Sequence, residues 1–286
     1  ALVAQRMGSY GPIPESGGPG VPLTSRSTFP PSGTAEIVAN PNGGGPGVPV
    51  SAWLDGRNPA CEGGDGPIDP SSGSWTTCEY HEWYGVDIMP DDYACPTAQC
   101  ACAADERRLS YSDGSDDVIG SDIYIDPMFP CDLFKHTFGV ERADYEDVKR
   151  LEGGQVIYDC DNLGPQSSGF IWIDGSVGTC SIASNTTIGS PEKPVFLVSA
   201  ANLLRLNGGA MIYGVLVVTD VEETAGELQS TGTNTVYGAV IVDGELGSYN
   251  GTFQIVYNDD LMGLASKRGS LGKLYGGWTD IHEDWR

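Results

Sequence analysis

Positive charge is scarce in this chain. Fifteen Lys and Arg stand against 39 Asp and Glu, a formal net charge of −24 over 286 residues. Phosphate backbones and anionic headgroups are held by cationic surfaces, so neither nucleic acid nor acidic lipid is expected as a partner. Histidine is scarcer still: His81, His136 and His282 lie far apart in unlike contexts. The H-E-x-x-H, C-x-x-C-H, G-x-S-x-G and P-loop patterns are all missing, so no catalytic residue is assigned and no enzyme is expected. No run of about 18 apolar residues occurs, so no transmembrane span is expected in this chain.

What is plentiful points the other way. Forty Gly and 19 Pro favour turns over long helices, and an apolar share of 40% still permits a core. The eight cysteines are Cys61, Cys78, Cys95, Cys100, Cys102, Cys131, Cys160 and Cys180. Six of them fall between 61 and 131, where regular patterning is poor. An even number in a loop-rich stretch reads as disulfides formed in an oxidising compartment, so we expect an exported bacterial protein, periplasmic, extracellular or on the cell surface. Zinc is disfavoured because Cys95-x4-Cys100-x-Cys102 is no paired knuckle. Cys160 and Cys180 flank the first strand unit and are the pair best placed for a bridge.

Along the chain, residues 1–60 are Pro/Gly-rich and read as an extended arm or linker, with Ala1–Met7 as the end of a helix begun upstream. Residues 61–130 form a Cys-rich loop region. Residues 131–155 hold the helical signals. Tyr145, Val148 and Leu151 share one face of a helix over 142–152, stopped by Gly153-Gly154 and placed to cap one end of the β-rich part beyond it. Residues 156–262 carry β-branched runs at 170–173, 195–198, 215–218, 239–242 and 253–256, punctuated by Gly, Asn, Ser and Asp. A tail closes the chain over 263–286, capping the other end.

Two of these runs belong to a repeat. Leu204–Val218 aligns without gaps on Leu228–Val242, a shift of 24 residues with five identities, among them Tyr213 with Tyr237 and Gly214 with Gly238. An even shift keeps each side chain on its own face of a strand, and a period in the twenties with strands in each unit is the signature of stacked coils. Gly214 and Gly238 are expected where the backbone bends. The fold class is therefore mainly β. A short β-helix of about four coils forms the C-terminal domain, behind a disulfide-rich, loop-rich N-terminal region and one short helix.

Chemistry-bearing groups are few. Asp113, Asp116, Asp117 and Asp122 are the candidate calcium ligands, since calcium takes carboxylate and carbonyl oxygens. Val118 stands where an EF-hand loop needs Gly, and a solvated acidic loop is the preferred reading. No cofactor is otherwise expected. Trp75, Trp83 and Trp172 would stack on sugar rings in an alternative reading, a secreted β-helix that binds or degrades polysaccharide; core packing is preferred for them. Asn185-Thr186-Thr187 and Asn250-Gly251-Thr252 are N-x-[ST] sequons.

A set of phrases carries a family resemblance. Asp132-Leu133-Phe134 with Phe138-Gly139-Val140, then Tyr158-Asp159-Cys160-Asp161, Phe170-Ile171-Trp172-Ile173, Asn207-Gly208-Gly209 with Ile212-Tyr213-Gly214, Val236–Val242, and the closing Tyr275-Gly276-Gly277-Trp278-Thr279-Asp280 resemble PilX-like pilus assembly proteins over about residues 130–286. The resemblance implies a structural or assembly protein of type IV pili, a minor pilin or filament subunit, with adhesive loops. Its partners would be other pilus subunits or copies of itself, and a host surface or glycan. In that family an apolar helix precedes the part seen here, and it is absent from this sequence. The resemblance also leaves room for the N-terminal arm to add a strand to a neighbouring subunit. Removing residues 1–60 is then expected to leave 130–286 folded.

Overall fold

A computed structural model of the chain describes residues 3–9, 20–27, 33–59, 61, 75–85, 100–102, 112–114, 119–150, 154–261 and 271–280. In chain order the first strands are β1 (Val3–Ser9), β2 (Leu23–Ser25), β3 (Thr34–Val38), β4 (Ala52–Asp55) and β5 (Trp75–Cys78). Helix α1 (Tyr80–Tyr84), β6 (Ile123–Asp126), α2 (Leu133–Phe138), a 3-10 turn (Arg142–Asp144) and α3 (Tyr145–Lys149) come after them. The next are β7 (Gln155–Ile157), β8 (Gly169–Ile173), β9 (Thr179–Ile182), β10 (Thr187–Ile188), β11 (Val195–Ser199) and β12 (Leu203–Leu206). The chain closes with β13 (Met211–Val218), β14 (Glu227–Thr231), β15 (Asn234–Val242), β16 (Glu245–Asn250), β17 (Thr252–Val256) and β18 (Leu271–Asp280).

From β7 to β17 the chain winds as a parallel β-helix with three faces. One face stacks β9, β12, β14 and β16. A second carries β10 and the first halves of β13 and β15, then β17. The third carries β7, β8, β11 and the second halves of β13 and β15. The 24-residue repeat is the register itself: Leu204 lies on Leu228, Tyr213 on Tyr237 and Gly214 on Gly238. β13 and β15 turn a corner at those glycines, where φ is +134° and +136°. A Cβ on Gly238 would sit 1.9 Å from the Gly214 carbonyl oxygen, so the corner admits no side chain.

Burial results from the winding. Each coil points alternate residues inward, where like residues stack in columns such as Ile171, Leu197, Leu216 and Val240. Strand spacing of ~4.8 Å puts their methyl groups in contact from level to level.

The stack does not end at β17. Its next level comes from the start of the chain: β2 pairs with β15 and β3 with β17, both in parallel. β4 then stacks on β2, β5 on β3 and β6 on β4. Residues read as an arm or linker thus continue the helix, and the Cys-rich region contributes β5 and β6. The third face becomes one eight-stranded sheet, β7-β8-β11-β13-β15-β2-β4-β6. The reason is visible in the inward residues. Leu23, Ala52 and Ile123 extend the column of Val240, and Ile37 extends that of Val236 and Ile255.

Two further expectations change. Ala1–Met7 is no helix end: Val3–Ser9 is a strand, antiparallel to Leu271–Asp280 at the other end of the chain. Of the helical stretch expected over 142–152, residues 142–149 are a 3-10 turn and the short α3, packed against the third face rather than an end of the stack, and 151–152 lie outside the described residues. Residues 127–150 instead form a strap along the outside of the third face, between β6 and β7 in the chain. With eight strands at ~4.8 Å the strap covers about 34 Å.

Candidate functional site

The strap explains why the third face is apolar on both sides. Phe134, Phe138 and Val148 pack on Phe170, Trp172, Phe196, Val198, Val215 and Val217, the outward residues of its strands. Phe129 and Leu133 cover Trp53 further along. α2 starts because Asp132 accepts a hydrogen bond from Lys135 N at 2.9 Å, and it stops at Gly139 in the left-handed region. Its Phe134 and Phe138, four residues apart, present one aromatic face, ring centroids 4.7 Å apart. The Tyr145 ring lies stacked on Trp172 at 6.3 Å.

Two cations fasten the strap. Arg142 bonds Asp220 and Asp243 and stands 3.6 Å from Asp132. The Asp243 carboxylate, 1% exposed, also meets Arg26 at 3.3 Å. Burial pushes Asp243 above the ordinary carboxylate range, and the Arg142 charge only partly offsets it. Lys149 Nζ lies 2.5 Å from Asp174 Oδ2 and 2.9 Å from Glu222 Oε1. Burial would lower the Lys149 ammonium, but its hydrogen bonds to Asp174 and Glu222 outweigh that and hold its pKa above the usual lysine value. At Asp174 burial works upward and the Lys149 hydrogen bond prevails, so its pKa is lowered. Glu222 accepts in addition from Trp172 Nε1 and Gly175 N. The paired carboxylates of this surface are thus bridged by cations.

Of the four candidate metal ligands, Asp113 and Asp122 are among the described residues. Asp122 is fully buried, with Ser51 Oγ donating to one oxygen at 2.8 Å and Ser112 Oγ to the other at 2.7 Å. Asp113 forms an antiparallel bridge with Thr76; Asp116 and Asp117 lie outside the described residues. Among the described residues no three His, Cys, Asp or Glu side chains are placed to hold a metal ion. The sugar-stacking candidates are core instead. Trp75 and Trp172 are fully buried and Trp83 is 3% exposed.

Disulfides join Cys61 to Cys131, Cys78 to Cys102 and Cys160 to Cys180. Cys100 is also disulfide-bonded; Cys95 lies outside the described residues. Cys61–Cys131 ties the start of the strap to the segment after β4, and Cys160–Cys180 ties the β7 level to β9. Asn185 and Asn250 of the sequons are exposed. No helix among the described residues is long and apolar enough to cross a membrane.

The feature that sequence reading missed is the β7 end of the stack. A cavity of about 280 Å3 opens there, lined by Ile157, Leu163 and Ile171 with Asp159, Asn162 and Ser167. Beside it Tyr158 is 68% exposed. Tyr158 and Cys160 are legible as part of a phrase, but nothing in the spacing shows that, among the described residues, the β7 level has a strand on one face alone. The chain was compared with protein-family models, curated proteins and solved structures, and no match was found in any of the three.

Proposed function

We propose that this chain is a structural subunit of bacterial surface pili, a minor pilin or filament subunit, exported and braced by disulfides. The observation that carries the reading is where the strands nearest β1 and β18 join the stack. β1 leads into β2 and β18 comes after β17; β2 and β17 both lie against β15, and β1 and β18 pair with each other. The body strands nearest in sequence to β1 and β18 therefore both sit in the middle of the stack. Load entering through β1 reaches β2, which is bonded on both sides, to β15 and β4. Pulling on a strand held from both sides strains several hydrogen bonds together, which suits a part that bears tension.

The phrases that resemble PilX-like proteins support the same reading, as does the disulfide content, which belongs to an oxidising compartment. Partners would be other pilus subunits or further copies of this chain, with loops at the free surfaces meeting a host surface or glycan. The test is to shear surface filaments from the source cells and examine them by cryo-electron microscopy and peptide mass spectrometry. This chain is expected within regular filaments. Its recovery only as free monomer, with filaments that lack it, would sink the proposal.

A further inference from the structure

The level at which the stack begins has an open edge. β7 bonds only to β8 among the described residues. Asp174 N donates to Ile157 O at 3.0 Å, and Ile157 lies opposite Ile173. In a parallel ladder alternate residues bond the same neighbour, so Gln155 and Ile157 turn their backbone groups toward β8. The N–H and C=O of Val156, between them, point off the end of the sheet.

Next to that edge a cavity opens toward the interior of the helix. The cavity of about 280 Å3 reaches Leu163 and Ile171, which are otherwise core. It lies below the ~300–1,000 Å3 usual for small-molecule pockets, and suits one large apolar side chain. Its lining holds the Asp159 carboxylate and no basic side chain among the described residues, and Asp161 is exposed two positions on. The basic residues nearest before β7 are engaged: Lys149 with Asp174 and Glu222, Arg150 with Glu146.

We propose that this end of the stack binds an extended, basic segment of a partner protein, which adds as a strand along β7. Its backbone takes the N–H and C=O of Val156, one apolar side chain enters the cavity over Leu163 and Ile171, and a neighbouring Lys or Arg meets Asp159 and Asp161. Charge decides against a second copy of this chain, since a body of −24 with an acidic rim repels its like. The inference stands apart from the filament reading and survives or fails without it.

The probe is a fluorescein-labelled ten-residue peptide of alternating Lys and Val, titrated by anisotropy into the intact protein. Saturable binding is expected, with none for the matching Glu/Val peptide. Methylating the peptide nitrogens on one edge should weaken binding about tenfold. Val156→Pro should do the same, because it removes the outward N–H and touches no bond to β8. Asp159→Asn with Asp161→Asn should weaken the Lys peptide and spare a Thr/Val peptide. Should Val156→Pro fail to fold, the methylated peptide decides alone. Binding unaffected by methylation would reduce the effect to diffuse charge attraction and overturn the proposal. So would no binding at all, or a concentration-dependent dimer of the protein that Val156→Pro abolishes.

Discussion

Lys149→Met tests what holds the strap to the stack. The Met side chain keeps an apolar stem of similar length and removes the ammonium, which lies 5.8 Å from the Tyr145 ring centroid. Asp174 and Glu222, with side chains 10% and 11% exposed, then lose their shared cation. Removing one partner of a buried ion pair costs ~3–5 kcal/mol when the other is left bare. Here neither is bare: Asp174 still accepts from Ser176 N at 2.9 Å, and Glu222 from Trp172 Nε1 and Gly175 N. That places the expected loss at the lower end, about 2–3 kcal/mol.

The loss should depend on pH. Asp174 has a lowered pKa in the folded protein. Its contribution is complete above the unfolded value of 3.8 and disappears as pH falls through the folded one. The urea unfolding curves of parent and variant should therefore differ most near neutral pH and converge below pH 3.8. Hydrogen exchange should quicken at residues 142–150 before the stack strands, since the strap can open alone. Adding Asp174→Asn and Glu222→Gln should recover part of the stability. A loss under ~0.5 kcal/mol at neutral pH, the size of a surface pair, or a difference that does not narrow in acid, would refute the account of the clamp.

Three further outcomes rest on the same geometry. Gly238→Ala places a Cβ 1.9 Å from the Gly214 carbonyl oxygen at φ +136°, and should cost more than ~3 kcal/mol or give no folded protein. Gly178→Ala, which meets nothing within 4 Å, should be near neutral in the same thermal melts. Replacing Cys160 and Cys180 by Ser opens a bridge of sequence separation 20; about 3 kcal/mol should be lost, a fall in Tm of about 6–12 °C. Glu36 is raised above 4.5, burial outweighing its hydrogen bond from Gln254. A raised carboxyl withdraws stability as pH climbs from 4.5 through its folded pKa. Glu36→Gln should therefore be the more stable protein near pH 7 and lose that advantage below pH 4.5, as denaturant midpoints across pH would read.

What the sequence discloses is what repeats locally. Leu204 over Leu228 and Gly214 over Gly238 are legible because one coil succeeds the next along the chain at constant length. The junction of β15 with β2 has no such signal. Val240 and Leu23 are neighbours in space with more than two hundred residues between them, and β2, three residues long, is flanked by Pro22 and Arg26. Pro/Gly density over 1–60 argues against helix, and no helix lies among the described residues there. It does not separate a free arm from short strands joined by tight turns. The end strands β1 and β18 fail for the same reason, since pairing between the two ends of a chain leaves no pattern in either. Core packing is the right expectation for the tryptophans, yet only the strap shows what buries Trp172. At the candidate end site the apolar residues Leu163 and Ile171 look like any core pair, and the cavity they line arises only where the described strands of the stack begin.

The break in chain order alters how the stack holds together. In a simple solenoid each coil touches only its neighbours in sequence, so stability is a sum of local terms and ends can fray. Here the chain enters the stack in the middle, builds outward through β2, β4 and β6, returns along the strap, and then builds from β7 back to the middle. Its last coil, β16 and β17, closes against the first strands it laid down. The strap crosses the levels that it connects, and Arg142 reaches both Asp220 and Asp243 from two successive coils. No level of the third face can open without loosening strap contacts that other levels share. Such closure raises the separation of contacting residues and should slow folding. It also couples local openings into larger units, so amide exchange at β13, β15 and β2 is expected to approach the global unfolding rate together. Exchange at β2 far faster than at β15 would mean that the N-terminal levels are a separable layer.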